Sequence, residues 1–245
     1  MKYRMFAAAL ALGVAGAAVA QDKGKDWTFG DGVAPERWSQ VNTAYAACDL
    51  GDMQSPIDLT DPDARGTVML TTNYGTAEGR ISTGLEKVQV DFNPGHGMGM
   101  MSGGTAYDLV QVHWHTPAEH AFDGSRYPLV AHFVHATEGG KLGVLGVMFA
   151  EGAENPALDR VIRGQSRGNG TAVSVDIMDM VPDDLAVYRY MGSLTTPPCS
   201  EGVNWHVANR PVQASAEQIA ALRSALGPSA RSIQPRNNRL LVAPE

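Results

Sequence analysis

Cysteine is scarce in this chain: two in 245 residues, Cys48 and Cys199, too few for a disulfide scaffold and too far apart for the short ligand spacing of a structural zinc knuckle. Positive charge is also short. Nineteen Lys and Arg stand against 26 Asp and Glu, for a net charge of −7. No basic run interrupts that balance, so nothing supports binding to nucleic acid or to an anionic membrane surface. Internal repeats and low-complexity tracts are missing, as is regular alternation of strands and helices, which disfavours a doubly wound parallel sheet. No apolar run is long enough to span a bilayer.

One apolar run does stand out. Lys2 and Arg4 precede Met5 to Ala17, and Ala18-Val19-Ala20 is a small-residue cleavage signature. The expectation is a signal peptide over 1–20, cleaved after about Ala20, with export to the periplasm and a single domain over 21–245. Taking 20 from 245 leaves 225 residues, and losing Lys2 and Arg4 moves the charge from −7 to −9. That length suits one large domain. In an oxidising compartment an even cysteine count reads as a single Cys48–Cys199 disulfide, closing a loop of about 150 residues, worth roughly 4–5 kcal/mol in the chain-entropy picture.

Short β-branched or aromatic segments bounded by Gly, Pro, Asp or Asn predict strands at Lys87–Phe92, Tyr107–His115, Leu129–Ala136, Leu142–Phe149, Thr171–Ile177, Ala186–Tyr190 and Val203–Val207. Helix signals are fewer. Ser215-Ala216-Glu217-Gln218 is a capping box ahead of Ile219, Leu222 and Leu226, and Asn155–Gly164 carries Pro156 in its first turn. The fold class expected is mostly β: a single domain with a large central, mainly antiparallel twisted sheet and short peripheral helices.

The chemistry concentrates at Gln111-Val112-His113-Trp114-His115. Residues two apart on a strand face the same way, so His113 and His115 project together with Gln111. An isolated pair of this kind is more often two polar residues on a half-buried strand. Here Glu119 follows just past the strand, where a carboxylate could serve as ligand, general base or hydrogen-bond acceptor. His132 lies farther on, sharing a face with Val134, whereas His135 points the other way as a structural histidine. Three imidazoles fill three corners of a tetrahedron and leave the fourth for water, the mark of a catalytic zinc site. Gly192-Ser193-Leu194-Thr195-Thr196-Pro197-Pro198-Cys199 reads as a stiffened loop able to position reacting groups.

These segments together resemble the α-class carbonic anhydrases, particularly exported bacterial ones. The likeness runs from about Trp27 to the C-terminus. Gln54-Ser55-Pro56-Ile57, Gly95-His96, the Gln111–His115 run, Glu119-His120, His132–His135, Tyr190–Cys199 and Trp205 carry it. The resemblance implies that His113, His115 and His132 bind Zn2+, and that Thr195 accepts a hydrogen bond from the zinc-bound hydroxide and donates its own to Glu119. It implies that His96 shuttles protons, that Gln111 holds His113, and that His120 supports the ligands. CO2 or bicarbonate would lie against Val134, Val144, Leu194, Thr196 and Trp205. The resemblance matches Cys48 and Cys199 to the family disulfide, makes Ser55-Pro56 and Pro197-Pro198 candidate cis peptides, and allows a monomer or homodimer.

Three positions depart from the family pattern. Val130 stands where Glu usually pairs with the third ligand, so weaker zinc retention is expected. Phe29 replaces a Tyr and Pro94 an Asn along the proton path. Met98, Met100 and Met101 could suit a soft metal, but adaptable core filling is the better reading. Competing readings are a cupin-like metal protein, a carbonic-anhydrase-like binding module without catalysis, and a periplasmic metal carrier. The cupin motif wants Gly where Tyr107 and Arg126 stand, a module without catalysis usually lacks one or more of the ligand histidines that all remain here with Thr195 and Glu119, and a metal carrier would leave that hydroxyl–carboxylate pair without purpose.

Overall fold

A computed structural model describes residues 25–30 and 35–245. The signal peptide expected over 1–20 lies outside them. Among the described residues thirteen strands join one sheet. They are β1 (Ala64–Arg65), β2 (Leu70–Thr72), β3 (Thr76–Gly84), β4 (Lys87–Phe92), β5 (Gly99–Ser102), β6 (Thr105–His115), β7 (Leu129–Ala136), β8 (Leu142–Glu151), β9 (Ala172–Asp176), β10 (Val187–Ser193), β11 (Glu201–Ala208), β12 (Val212–Ala214) and β13 (Val242–Ala243). The order is β1-β13-β10-β11-β8-β7-β6-β4-β3-β9, with β12 beside β8, β5 beside β6 and β2 beside β5. Pairing is antiparallel except for β1 with β13 and for β8 with β11 and β12.

Helices are short: α1 (Trp38–Val41), α2 (Ala46–Leu50), α3 (Pro156–Arg167) and α4 (Ala216–Leu226). Asn155 caps α3 by accepting from Ala157 N and Leu158 N, and Ser215 with Gln218 closes the expected capping box on α4. Both helices lay their apolar residues (Leu158 and Val161, Ile219 and Leu222) on one sheet face, where Val90, Val112, Trp114, Phe133 and Leu145 complete the larger core. The other face carries a smaller cluster of Ile57, Val130, Val144, Met148, Tyr190, Trp205 and Val207.

All seven expected strands are present, most with their ends moved by a residue or more. The nine-residue strand β3 escaped because two of its three inward positions are Ala77 and Gly79, and Ile81 alone makes no period-two apolar signal. Gly79 is required there: a Cβ would come within 2.5 Å of Val90 Cγ1. Met98 and Met100 pack into the interior as read, while Met101 is half exposed.

A bulge in β6 sets the functional face. Leu109 and Val112 both belong to the larger core, and the register with β7 shifts between Leu109 and Gln111. One extra residue inverts alternation from there on, because side chains on a strand repeat every two residues. Gln111, His113 and His115 therefore leave the helix-covered side and turn to the opposite face.

Candidate metal centre

Strand register assembles the site in rows. In one row His113 on β6 lies across from His132 on β7, which lies across from Gly146 on β8. In the next, Gln111 faces Val134, Val134 faces Val144, and Val144 faces Trp205 on β11. A histidine trio and an apolar wall thus stand side by side. One candidate ligand atom from each of His113, His115 and His132 lies within 4.8 Å of the others.

Hydrogen bonds choose which nitrogens face inward. Gln111 Oε1 is 2.8 Å from His113 Nδ1, and the Ser229 carbonyl is 2.5 Å from His115 Nδ1, leaving Nε2 free on both rings. His115 Nε2 lies 3.6 Å and His132 Nδ1 3.8 Å from the same oxygen, Glu119 Oε2. His132 therefore presents Nδ1 to its partners, and its buried Nε2 has no hydrogen-bond partner. Val130, fully buried across from His115, offers none.

Glu119 is fully buried, and its Oε1 accepts from the backbone N of Arg231 at 2.9 Å. Its Oε2 has no partner, and Thr195, although buried, does not hydrogen-bond to it here. Thr195 and Thr196 sit in the turn between β10 and β11, pinned by the Cys199 N to Thr196 O bond and by the disulfide, whose Cα atoms are 5.0 Å apart. Leu194 packs against the wall. Trp205 donates to Ser193 O at 2.9 Å and presents its ring to His132, centroids 4.9 Å apart. His120 Nε2 pairs with Tyr190 Oη at 2.7 Å. Phe29 sets its edge against the His115 ring at 5.9 Å.

His96 is not brought to this cluster. Its Nε2 contacts Leu109 O at 2.7 Å, its Nδ1 accepts from Met98 N at 3.0 Å, and its ring meets Phe92 of the larger core. Ser55-Pro56 and Pro197-Pro198 are cis as expected, and Thr116-Pro117 is a third cis peptide that was not. Ser229 O and Arg231 N are functional groups that sequence reasoning missed. They are backbone atoms of an irregular segment, and no local pattern marks them.

Burial holds His113 and His132 well below 6.5, the neighbouring imidazoles adding to it, so both stay neutral and able to ligate a metal. Elsewhere burial pushes His135 down to about 3 and His206 to about 4. The unfolded chain binds these protons near 6.5 and the folded one does not, so stability is complete above that pH and lost as pH falls below it. We expect each of the two to cost about 1.4 kcal/mol per pH unit below 6.5 until its folded value is reached. Urea midpoints at pH 7 and pH 5 check this; equal midpoints would refute it.

The ligand chemistry fits zinc. One ligand nitrogen from each of three imidazoles converges within 4.8 Å, and the outer nitrogens of His113 and His115 are already oriented. Fold and site together define a mostly β protein with a cluster of three histidines, able to hold a metal ion, beside an apolar wall. The family model for eukaryotic-type carbonic anhydrase matches residues 33–243. A carbonic anhydrase of Pectobacterium carotovorum is 34% identical over 239 residues, covering 96% of this chain and 97% of the relative. One from Nostoc sp. is 33% identical over 233 residues, covering 91% and 88%. The α-carbonic anhydrase of Thermovibrio ammonificans, solved with sulfanilamide, superposes with a TM-score of 0.83 at 34% identity, covering 89% of this chain and 99% of that one. This chain belongs to the α-carbonic anhydrase family and is a carbonic anhydrase, acting on CO2 and bicarbonate.

Proposed function

We propose that the chain hydrates CO2 reversibly to bicarbonate and a proton with Zn2+ held by His113, His115 and His132. The observation carrying this reading is the convergence of three histidine nitrogens beside a buried carboxylate and an apolar wall. Zinc bound there would bring the pKa of a coordinated water into the neutral range, an effect for which carbonic anhydrases are themselves the standard example.

The protein's part is positioning. Glu119, fixed by Arg231 N, keeps Oε2 as the acceptor for the Thr195 hydroxyl hydrogen. Thr195 Oγ1 then accepts a hydrogen bond from the reacting water and orients it. Val134, Val144, Leu194 and Trp205, with Thr196 at the turn, hold CO2, a small apolar molecule that needs no charged anchor. His96 carries the proton outward. Since its Nδ1 accepts from Met98 N, taking a proton there requires that bond to open. Export to the periplasm, with cleavage after about Ala20, belongs to the same reading and is supported by the disulfide. No described helix is long and apolar enough to cross a membrane.

The test is CO2-driven proton release by purified protein, with and without a chelator, alongside metal analysis. A chelator-sensitive rate is expected. Folded, zinc-loaded protein with no rate above buffer would overturn the proposal.

The unpartnered His132 Nε2 makes zinc retention a separate question. An acceptor at position 130 would fix the ring and its tautomer. The Val130→Glu chain should release zinc about 10- to 100-fold more slowly. An unchanged or faster dissociation rate, read by chelator competition, would show that His132 is already held well enough.

A further inference from the structure

The turn between β3 and β4 consists of Leu85 and Glu86, since Gly84 pairs with Lys87. A left-handed turn residue is most often Gly or Asn. Here it is Glu86, with φ 56°. An acid in so uncommon a conformation points to a use for its side chain. Register places the turn: Gln89 is opposite His113 and the two strands run antiparallel, so Glu86 lies toward the His115 end of β6. Its carboxylate holds a strap formed by residues 25–29. Oε2 accepts from Lys25 Nζ at 2.5 Å, and both oxygens accept from Phe29 N, at 3.2 and 3.3 Å. The Lys25 and Glu86 side chains are 12% and 11% exposed, so salt screens the pair little. The Lys25 ammonium also lies over the Trp27 ring, 3.9 Å from its centroid. Among the described residues the strap belongs to no strand, and its backbone bonds to no other backbone. Side chains fasten it instead: Glu86, then Trp38 Nε1 donating to Thr28 O and Tyr45 Oη donating to Asp26 Oδ1. Phe29, where the grip of Glu86 ends, is the residue set edge-on against His115, and it clusters with Trp27 and Trp38.

We propose that Glu86 is a positioning residue whose hold on the strap keeps Phe29 against His115, and that this hold sets how fast the centre exchanges its metal ion. The apolar shell around a metal site controls the access of solvent to it. With the strap released, the Phe29 side of the His115 ring opens to water and to chelators. The inference rests on the zinc reading above for its ion, and on the contacts of Glu86 for the strap.

Two measurements on the zinc-loaded protein test it. Amide hydrogen exchange over residues 25–30 reads the strap, and transfer of zinc to a chelator reads the site. Glu86→Ala should exchange those amides faster and release zinc about 10-fold faster. Glu86→Gln keeps an acceptor for Phe29 N but loses the ion pair, and should fall between that variant and wild type. Phe29→Ala should release zinc about as fast as Glu86→Ala, and the double variant no faster than Phe29→Ala alone, because Glu86 acts through that ring. Loss of stability by itself would not give this pattern: Asn155→Ala, which uncaps α3 on the opposite face of the sheet, should leave zinc release unchanged. If Phe29→Ala fails to fold, the order wild type, Glu86→Gln, Glu86→Ala decides. Equal release from Glu86→Ala and wild type, additive effects in the double variant, or an equal acceleration by Asn155→Ala would overturn the proposal. A folded protein that takes up no zinc would overturn the reading of the centre itself, and this inference with it.

Discussion

The Glu119→Gln chain is expected to keep its zinc and to hydrate CO2 about 10²- to 10³-fold more slowly. Glu119 Oε1 must accept from Arg231 N, and a glutamine can satisfy that bond only with its carbonyl oxygen. The amide NH2 then falls where Oε2 now lies, 3.6 Å from His115 Nε2 and 3.8 Å from His132 Nδ1. On the proposed reading, an acceptor becomes a donor at the atom meant for the Thr195 hydroxyl. Thr195 is left with its hydrogen unplaced and is forced out of the orientation the reacting water needs. All three imidazoles stay, so metal content should not change. Two measurements are required: zinc per chain and CO2-driven proton release. Loss of zinc in step with activity would make Glu119 a ligand, and an unaffected rate would remove it from the chemistry.

The second large effect is on folding. Arg231 is fully buried, and its guanidinium donates to Gln54 Oε1 at 2.9 Å, Ser55 O at 2.7 Å and Cys48 O at 2.6 Å. It joins α2, one half of the disulfide and the Ser55-Pro56 turn beneath the metal centre. Burial pulls its pKa down to about 10, opposed by Glu119 and other acids nearby, so it remains charged at neutral pH. Arg231→Met fills similar volume but strands three buried acceptors and leaves the Glu119 carboxylate without its compensating charge. Breaking such a network costs about 3–5 kcal/mol, which for a chain of this size lowers Tm by roughly 10 °C. Calorimetry on disulfide-intact protein measures it, and a drop under about 3 °C would show that the network relaxes without loss. The backbone N of residue 231 survives the substitution, so CO2 hydration should persist at temperatures where the variant is folded.

Much of the architecture was legible from local pattern. Strands β4 and β7 were located to the residue because Lys87–Phe92 and Leu129–Ala136 alternate or run apolar between clear breakers. Strand β3 was invisible for the opposite reason, its interior side carrying Ala77 and Gly79 with a single large apolar residue, Ile81. In the site, the same-face rule placed His113 with His115 and separated His132 from His135, which the structure sets against Tyr74 in the larger core. The rule could not see that His96 turns toward Leu109 and Met98. Nor could it see Ser229 O and Arg231 N, since every residue has a backbone carbonyl and all but proline a backbone N–H.

The sequence by itself determined the donor set and the two-faced character of the strands, because side-chain direction along a strand is a property of neighbouring residues. Tertiary structure decided which histidines meet and what lies behind them. That depends on strand register, on one bulge between Leu109 and Gln111, and on a C-terminal segment packed under residues more than a hundred positions away. Such pairings are set by the sum of contacts over the whole sheet, so no window of sequence contains them.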